Sequence, residues 1–274
     1  MLEQKTVVVT GSTRGIGQGL TKEFLKLGHS VMVSGRSEAS VESAIENLTH
    51  FAADSARIAG QVCEISDLAQ VQGLWDAAKA RFGSVDIWIN NAGAISVMHP
   101  IGELRPEDMR DIPETNLVGM MNGCRVALNG MTEQGHGALY TFEGFGSDGA
   151  KSEGMSVYGA TKFGLRYFTK SLVKETRKGP VIVGSMSPGM VTTEMLLGAR
   201  DEVSPERWKS MQFIYRILAE EVETVTPWLV EGVLKNSKHG ASIAWLTRGK
   251  ALLRFAKHFL IKKRPIPRGL EDTA

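Results

Sequence analysis

Short β-branched runs alternate with longer stretches of helical period along this chain. The runs are Thr6 to Thr10, Val31 to Ser34, Arg57 to Val62, Val85 to Ile89 and Ala138 to Phe142, then Val181 to Val183 extended towards Ser187, and Ala241 to Leu246. The helical stretches cover Gly15 to Leu27, Ala39 to Phe51, Val71 to Arg81 and the Glu107 to Thr132 region. Such a rhythm marks βαβ units, and strands that are apolar almost throughout require a parallel sheet covered on both faces. The pattern predicts an α/β fold with one doubly wound parallel sheet of about seven strands and ligands at their carboxyl ends.

From Met190 to Gly240 the pattern changes to Met, Leu, Trp and Phe mixed with charge, which predicts a helical substrate flap over about 190–240. Beyond it, Arg248 to Gly269 sets Leu252, Phe255, Phe259, Leu260 and Ile261 among Lys and Arg. This basic C-terminal extension, 248–274, reads either as an amphipathic helix for an anionic membrane surface or as a helix docked on the fold or on another subunit. It is too short and too charged to span a bilayer. The 274 residues suit one domain over 1–274, since a single α/β domain can run well past roughly 150 residues. A net charge of +2 gives no case for a nucleic-acid partner. Cys63 and Cys124, far apart, suggest neither a disulfide framework nor a metal site, and a reducing, cytoplasmic setting is expected, with or without peripheral contact at a membrane. The opening MLEQKTVVVTGS is too brief for a signal peptide and reads as the first strand.

VVVTGSTRGIG, Val7 to Gly17, runs a strand directly into Gly11, Gly15 and Gly17. A glycine at the turn allows positive φ, one without a side chain lets a pyrophosphate approach the helix end, and the last lets helix and strand pack closely. In isolation the pattern also fits an ordinary tight turn; after a strand and before a helix it predicts a Rossmann-type dinucleotide cradle. The second strand ends Ser34-Gly35-Arg36, with no carboxylate for an adenosine ribose, so NADPH/NADP is expected. Arg36, helped by Arg14, can pair with a 2′-phosphate, the alternative being two solvated surface arginines.

Tyr158 and Lys162 stand four apart in SVYGATK and share a helix face. A phenol of pKa about 10 exchanges protons poorly near neutrality, and a neighbouring ammonium favours the phenolate. Taken alone the pair also fits a solvated helix surface.

TGSTRGIG at 10–17, NNAG at 90–93, Asn116 in TNLVG, YGATK at 158–162 and SPGMVTTEM at 187–195 occur in the order and spacing of the short-chain dehydrogenase/reductase family, which the chain resembles over about residues 5–195. The resemblance implies that Tyr158 protonates a carbonyl oxygen, that Lys162 lowers its pKa and holds the nicotinamide ribose, and that Asn116 supports a proton-relay water. It implies cofactor contacts from Gly11, Ser12, Thr13, Arg14, Gly15, Ile16 and Gly17, and from Asn91, Ala92 and Gly93. Glu64 and Ile65 look like the adenine-contacting pair, and Pro188, Gly189, Val191 and Thr193 match the segment that meets the carboxamide. The family's carbonyl-polarising serine usually stands thirteen residues before the tyrosine, where this chain has Phe145; Ser147, eleven before, is the nearest hydroxyl, and Ser152 is the other candidate. A homodimer or homotetramer is implied, with Met109 to Leu128 and Val157 to Lys174 as interface helices.

FEGFGSDG at 142–149, VYGATKFGLRYFTKSL at 157–172, SPGMVTTEMLL at 187–197, ETVTPWLV at 223–230 and SIAWLT at 242–247 resemble the chlorophyll(ide) b reductases and their bacterial relatives. The resemblance implies NADPH-dependent reduction of a C7 formyl group to hydroxymethyl. Met190, Met195, Leu196, Leu197, Trp208, Met211, Phe213 and Ile214 offer apolar wall for a large flat substrate, or plain packing of flap helices. Two alternatives stay open: a generic aldehyde or ketone reductase acting on a steroid, lipid or sugar, and a non-catalytic nucleotide-binding scaffold.

Overall fold

The computed structural model describes residues 3–95, 98–201, 203–260 and 266–270. Its strands are β1 (Thr6–Val9), β2 (Ser30–Gly35), β3 (Ile58–Val62), β4 (Ile87–Asn90), β5 (Gly137–Phe142), β6 (Val181–Ser187), the short β7 (Val191–Thr192) and β8 (Glu220–Glu221), and β9 (Ser242–Ala244). Seven of them form one parallel sheet in the order β3-β2-β1-β4-β5-β6-β9. The expected Rossmann-type sheet is therefore present. Its order reverses between β1 and β4, the place at the strands' carboxyl ends where doubly wound sheets leave a crevice for ligands.

Helices cover both faces: α1 (Gly15–Lys26), α2 (Glu38–Thr49), α3 (Leu68–Phe82), α4 (Pro106–Pro113), α5 (Met120–Gln134), α6 (Ser156–Glu175), α7 (Glu194–Leu197), α8 (Pro205–Leu218), α9 (Val222–Lys235) and α10 (Arg248–Leu260). Successive strand residues point to opposite faces, and β1 shows the result. Val7 and Val9 pack with Leu20 and Phe24 of α1, Leu48 of α2 and Leu229 of α9, whereas Val8 packs with Leu74 and Trp75 of α3, Met131 of α5 and Leu165 of α6. An all-apolar strand is what a sheet with two buried faces demands.

Two sequence expectations change shape. The single helix expected around Glu107 to Thr132 is broken: α4 runs into Pro113, a π-helical turn spans Glu114–Gly119, and α5 follows. Proline lacks the N–H that a regular turn needs, and such π insertions mark functional positions. Asn116 sits inside this one, buried. The flap expected over 190–240 is shorter, because α9 is not part of it. Val225, Leu229, Val230 and Val233 of α9 belong to the main core, and a Cβ on Gly19 of α1 would lie 2.4 Å from Val222, so the two helices meet closely. The flap is α7, the 3-10 turn Gly198–Asp201 and α8; the chain enters and leaves it through the β7·β8 pair, in which Val191 faces Glu220.

Among the described residues no helix is long and apolar enough to cross a membrane. The predicted C-terminal helix is present as α10; Ile261 to Pro265 of that segment lie outside the described residues.

Candidate active site

The cradle forms where β1 turns into α1. Gly11 and Gly15 adopt φ of +62° and +56°, which other residues reach only at a cost. A Cβ on Gly17 would stand 2.3 Å from the Gly11 carbonyl oxygen and 2.5 Å from Asn91 Nδ2, so this position closes the turn against the end of β4. Ser12 is fully buried: its Oγ accepts from the Ser34 N–H at 2.8 Å, and its own N–H donates to the Ser34 carbonyl at 2.9 Å. Gly35 is packed against Thr13, whose Cγ2 would be 2.5 Å from a Cβ there. Ile16 joins the core, and the first turn of α1 carries no acidic side chain, leaving its positive end open to an anion.

The NNAG segment fastens this cradle to β4. Asn91 Nδ2 donates to the carbonyls of Thr10 and Gly11 at 2.9 and 3.0 Å, and Thr10 Oγ1 accepts from the N–H groups of Asn91 and Ala92 at 3.0 Å each. At the adenosine end, Ile65 is buried under the π turn, where a Cβ on Gly119 would lie 2.6 Å from it, and Glu64 Oε1 accepts from the N–H and hydroxyl of Ser66. Arg36 is exposed at the end of β2 with no ion-pair partner among the described residues, whereas Arg14, expected beside it, bonds Glu194 Oε2 of the flap at 3.1 Å. The Arg14 pair has both side chains mostly exposed, and contributes little by itself.

The four residues expected to carry the chemistry converge on one buried place. Lys162, 6 % exposed, donates from Nζ to the Phe142 carbonyl at 3.2 Å and lies 5.7 Å from the centre of the Tyr158 ring. A Cβ on Gly144 would lie 2.6 Å from the Tyr158 hydroxyl, and one on Gly93 would lie 3.2 Å from Asn116 Oδ1 and 3.8 Å from Lys162 Nζ. Asn116 is locked by its amide, which donates to Ala94 O at 2.9 Å and Thr161 Oγ1 at 3.1 Å and accepts from the Ala94 N–H at 2.7 Å. Ser147 is buried in the same loop as Gly144. Its Oγ accepts from the Gly144 N–H at 3.0 Å, which leaves its own proton without an acceptor among the described residues. Ser152, by contrast, is exposed, and its hydroxyl is turned to the Glu153 carbonyl at 3.5 Å. Phe145, at the usual serine position, is half-buried in this loop.

Electrostatics correct one expectation. Burial pushes the Tyr158 phenol up to about 12 rather than the lysine drawing it down, and burial lowers Lys162 to about 8, partly opposed by Glu143. Two groups that both lose water are each biased to the neutral form, and the ammonium is engaged with a carbonyl rather than with the phenol oxygen. In the free protein Tyr158 therefore holds its proton firmly at neutral pH.

At the far end of the crevice Pro188 is buried, Gly189 has φ +74° and a Cβ there would lie 2.5 Å from Leu246, and Val191 is buried. Thr193 caps α7 through its Oγ1 and stands over the cradle, with its Cγ2 3.5 Å from where a Gly15 Cβ would be. Of the apolar flap residues, Met190, Leu196, Leu197, Trp208 and Met211 pack together around Tyr215, Ala219 and Leu270, while Met195 and Phe213 are exposed. Sequence reading missed Leu270, Gly144, Glu143, Thr161 and Glu194; only Gly144, a glycine beside an unusual serine spacing, carried a signal.

With this geometry, comparison with known proteins is direct. Residues 5–204 match the short chain dehydrogenase family model. The chain is 37% identical over 264 residues to a probable chlorophyll(ide) b reductase, chloroplastic, of Oryza sativa subsp. japonica, covering 91% of this chain and 51% of that protein. It is 37% identical over 238 residues to another chloroplastic chlorophyll(ide) b reductase of the same organism, covering 85% and 67%. Thus the chain spans about half the length of the first of these relatives. A solved structure of a variant actinorhodin polyketide ketoreductase with NADPH superposes with a TM-score of 0.79 at 25% identity, covering 92% of this chain and 99% of that one. The chain belongs to the short-chain dehydrogenase/reductase family, oxidoreductases that act on CH–OH and C=O groups with a nicotinamide cofactor. Among its relatives are those named as chlorophyll(ide) b reductases.

Proposed function

We propose that this protein uses NADPH to reduce a carbonyl on a hydrophobic substrate, and that the carbonyl is the C7 formyl group of chlorophyll(ide) b or of a closely similar tetrapyrrole. The observation that carries the reading is the Tyr158 hydroxyl of a half-buried side chain, packed on Gly144 beside the buried Lys162 and Ser147. The cradle suits a dinucleotide: Gly11 and Gly17 have no room for a side chain, Gly15 takes a positive φ, and the first turn of α1 is free of acidic groups. Gly11 to Gly17 would hold the pyrophosphate, Arg36 a 2′-phosphate, Ile65 and Glu64 the adenosine end, Lys162 the nicotinamide ribose, and Pro188 to Thr193 the carboxamide. When bound, the nicotinamide supplies the hydride. Ser147 keeps its proton and offers it as a hydrogen bond to the carbonyl oxygen, which polarises the C=O bond. Tyr158, kept protonated by burial, gives up its proton as negative charge develops on that oxygen. Lys162 then stabilises the phenolate, worth more in this dry site than it would be in water. Asn116 holds the relay in place through the π turn.

NADPH is favoured over NADH because Arg36 ends β2 with no carboxylate beside it. A homodimer or homotetramer is favoured by exposed Val118 and Met121 of the π turn and α5 and exposed Phe163 and Tyr167 of α6, on the two helical regions expected to form interfaces. Buried Cys63 and Cys124, neither in a disulfide, fit a reducing compartment such as the cytoplasm. The test is incubation of purified protein with NADPH and chlorophyll b or chlorophyllide b, followed by the absorbance change on loss of the formyl group. A hydroxymethyl product supports the reading. Turnover of simple aldehydes without any pigment product would leave a generic carbonyl reductase, and no NADPH oxidation with any carbonyl would leave a nucleotide-binding scaffold.

A further inference from the structure

Among the described residues, α10 presents an apolar face without a partner on the side away from its seat. At about 100° per residue, Leu252, Leu253, Ala256 and Leu260 fall within one arc of about 100°, and the three leucines are 72%, 53% and 80% exposed. The flanks of this arc are basic. Lys257 is exposed along one border near Lys250, and Arg248, 85% exposed and 3.5 Å from Asp148 Oδ2, lies along the other. From Arg248 to Leu270 the sequence contains no acidic residue at all.

The opposite face of α10 is fixed to the flap. Arg254 donates to the Leu218 carbonyl at 2.8 Å and pairs with Glu220, with both side chains mostly buried, and the His258 ring meets Phe213 edge-on at 5.7 Å. A helix held firmly on one side, and offering leucines bordered by lysine and arginine on the other, has the form of an interfacial helix.

We propose that α10 docks this protein on an anionic lipid bilayer, with Leu252, Leu253 and Leu260 entering the headgroup boundary and Arg248, Lys250 and Lys257 meeting lipid phosphates. Charge complementarity selects this occupant: α10 carries cations and no acidic side chain of its own, so a second copy of this helix face is repelled and an anionic surface attracts it. Because Arg254 ties α10 to the end of α8 at Leu218 and to β8 at Glu220, docking places the flap beside the membrane, where a lipid-dissolved substrate would enter. That delivery role rests on the reductase reading; the docking itself does not, and separate assays read the two.

The experiment sediments the full chain with vesicles of phosphatidylcholine, alone or with about 30 mol% phosphatidylglycerol, in the absence of substrate. Wild type is expected to bind the anionic vesicles, roughly tenfold less the neutral ones, and to be released by high salt. Leu252→Glu with Leu260→Glu is expected to reduce binding roughly tenfold or more, and Lys257→Glu to remove much of the anionic preference, while both retain NADPH binding and turnover of a water-soluble aldehyde. Equal binding by the double variant and wild type overturns the proposal. So does failure of wild type to bind anionic vesicles, and a smaller oligomer for the double variant in that case assigns the face to a second copy instead.

Discussion

The Tyr158 hydroxyl and the α-carbon of Gly144 are packed so closely that a methyl group on Gly144 would lie 2.6 Å from the phenol oxygen. The loop backbone thus sets the position of the proposed proton donor, and the absence of a side chain at 144 is a requirement of the site. Gly144→Ala is expected to displace the ring, lowering kcat by about 10²-fold or more with NADPH affinity nearly unchanged. Steady-state kinetics and a fluorescence titration of NADPH check this; an unchanged kcat would mean that the hydroxyl does not work where it lies.

Lys162 costs the free protein stability. Its folded pKa is depressed, from 10.5 to about 8, so its linked stability is fully present above about 10.5, and is lost as pH falls through about 8. At pH 7 the buried ammonium carries the full penalty. Lys162→Met should therefore raise the unfolding free energy at pH 7, by on the order of 1–3 kcal/mol after loss of the bond to Phe142 O, with the gain shrinking towards pH 10.5. It should also abolish turnover. Urea denaturation at pH 7 and at pH 9.5 measures the difference; destabilisation at pH 7 would contradict it.

Cofactor choice turns on Arg36. Arg36→Ala should weaken NADPH binding by about 10- to 100-fold and leave NADH binding within about twofold. Glu194→Gln, which frees Arg14 from its pair with the flap, should instead strengthen NADPH binding slightly. Calorimetric titrations of both cofactors decide this, and an equal loss for NADPH and NADH in Arg36→Ala would remove the 2′-phosphate role.

How much of this was legible follows from the range of each interaction. The cradle and the Tyr158–Lys162 pair are local: strand, glycine spacing and a shared helix face are all written within a few residues. The covered parallel sheet, though not its strand order, was legible because strands such as β1 are apolar throughout and buried on both faces. The π turn at Glu114–Gly119 was not, because hydrogen-bond slippage at Pro113 leaves the hydrophobic period almost unchanged. Nor was α9 separable from the flap, since its Leu229 and Val233 read the same whether they meet α8 or the main core. Leu270 was invisible for a further reason: its burial depends on a tail returning to the flap, where Gln212 and Arg216 hold its carbonyl at 3.0 and 2.8 Å. The upward push of burial on the Tyr158 phenol was not legible either, because a spacing rule counts a neighbouring charge and not the loss of water.

His29 should set the acid limit of stability. It is buried, its Nδ1 accepts from the Lys5 N–H at 3.1 Å and its Nε2 has no partner among the described residues. Burial, and then Lys5 and Arg57, lower its pKa below the ordinary 6.5. Stability from the neutral ring is present above 6.5 and falls as pH drops below it. Urea midpoints between pH 7 and pH 5 should decline in wild type and decline less in His29→Asn; parallel declines would assign the effect to other groups.

The central claim is that Tyr158 delivers the proton while taking no part in holding the cofactor's phosphates. A single-turnover measurement on Tyr158→Phe, with NADPH bound and an aldehyde substrate added, tests it most directly. The account predicts unchanged NADPH affinity and a rate of NADPH oxidation at least about 10³-fold below wild type. Oxidation at the wild-type rate in that variant would contradict it.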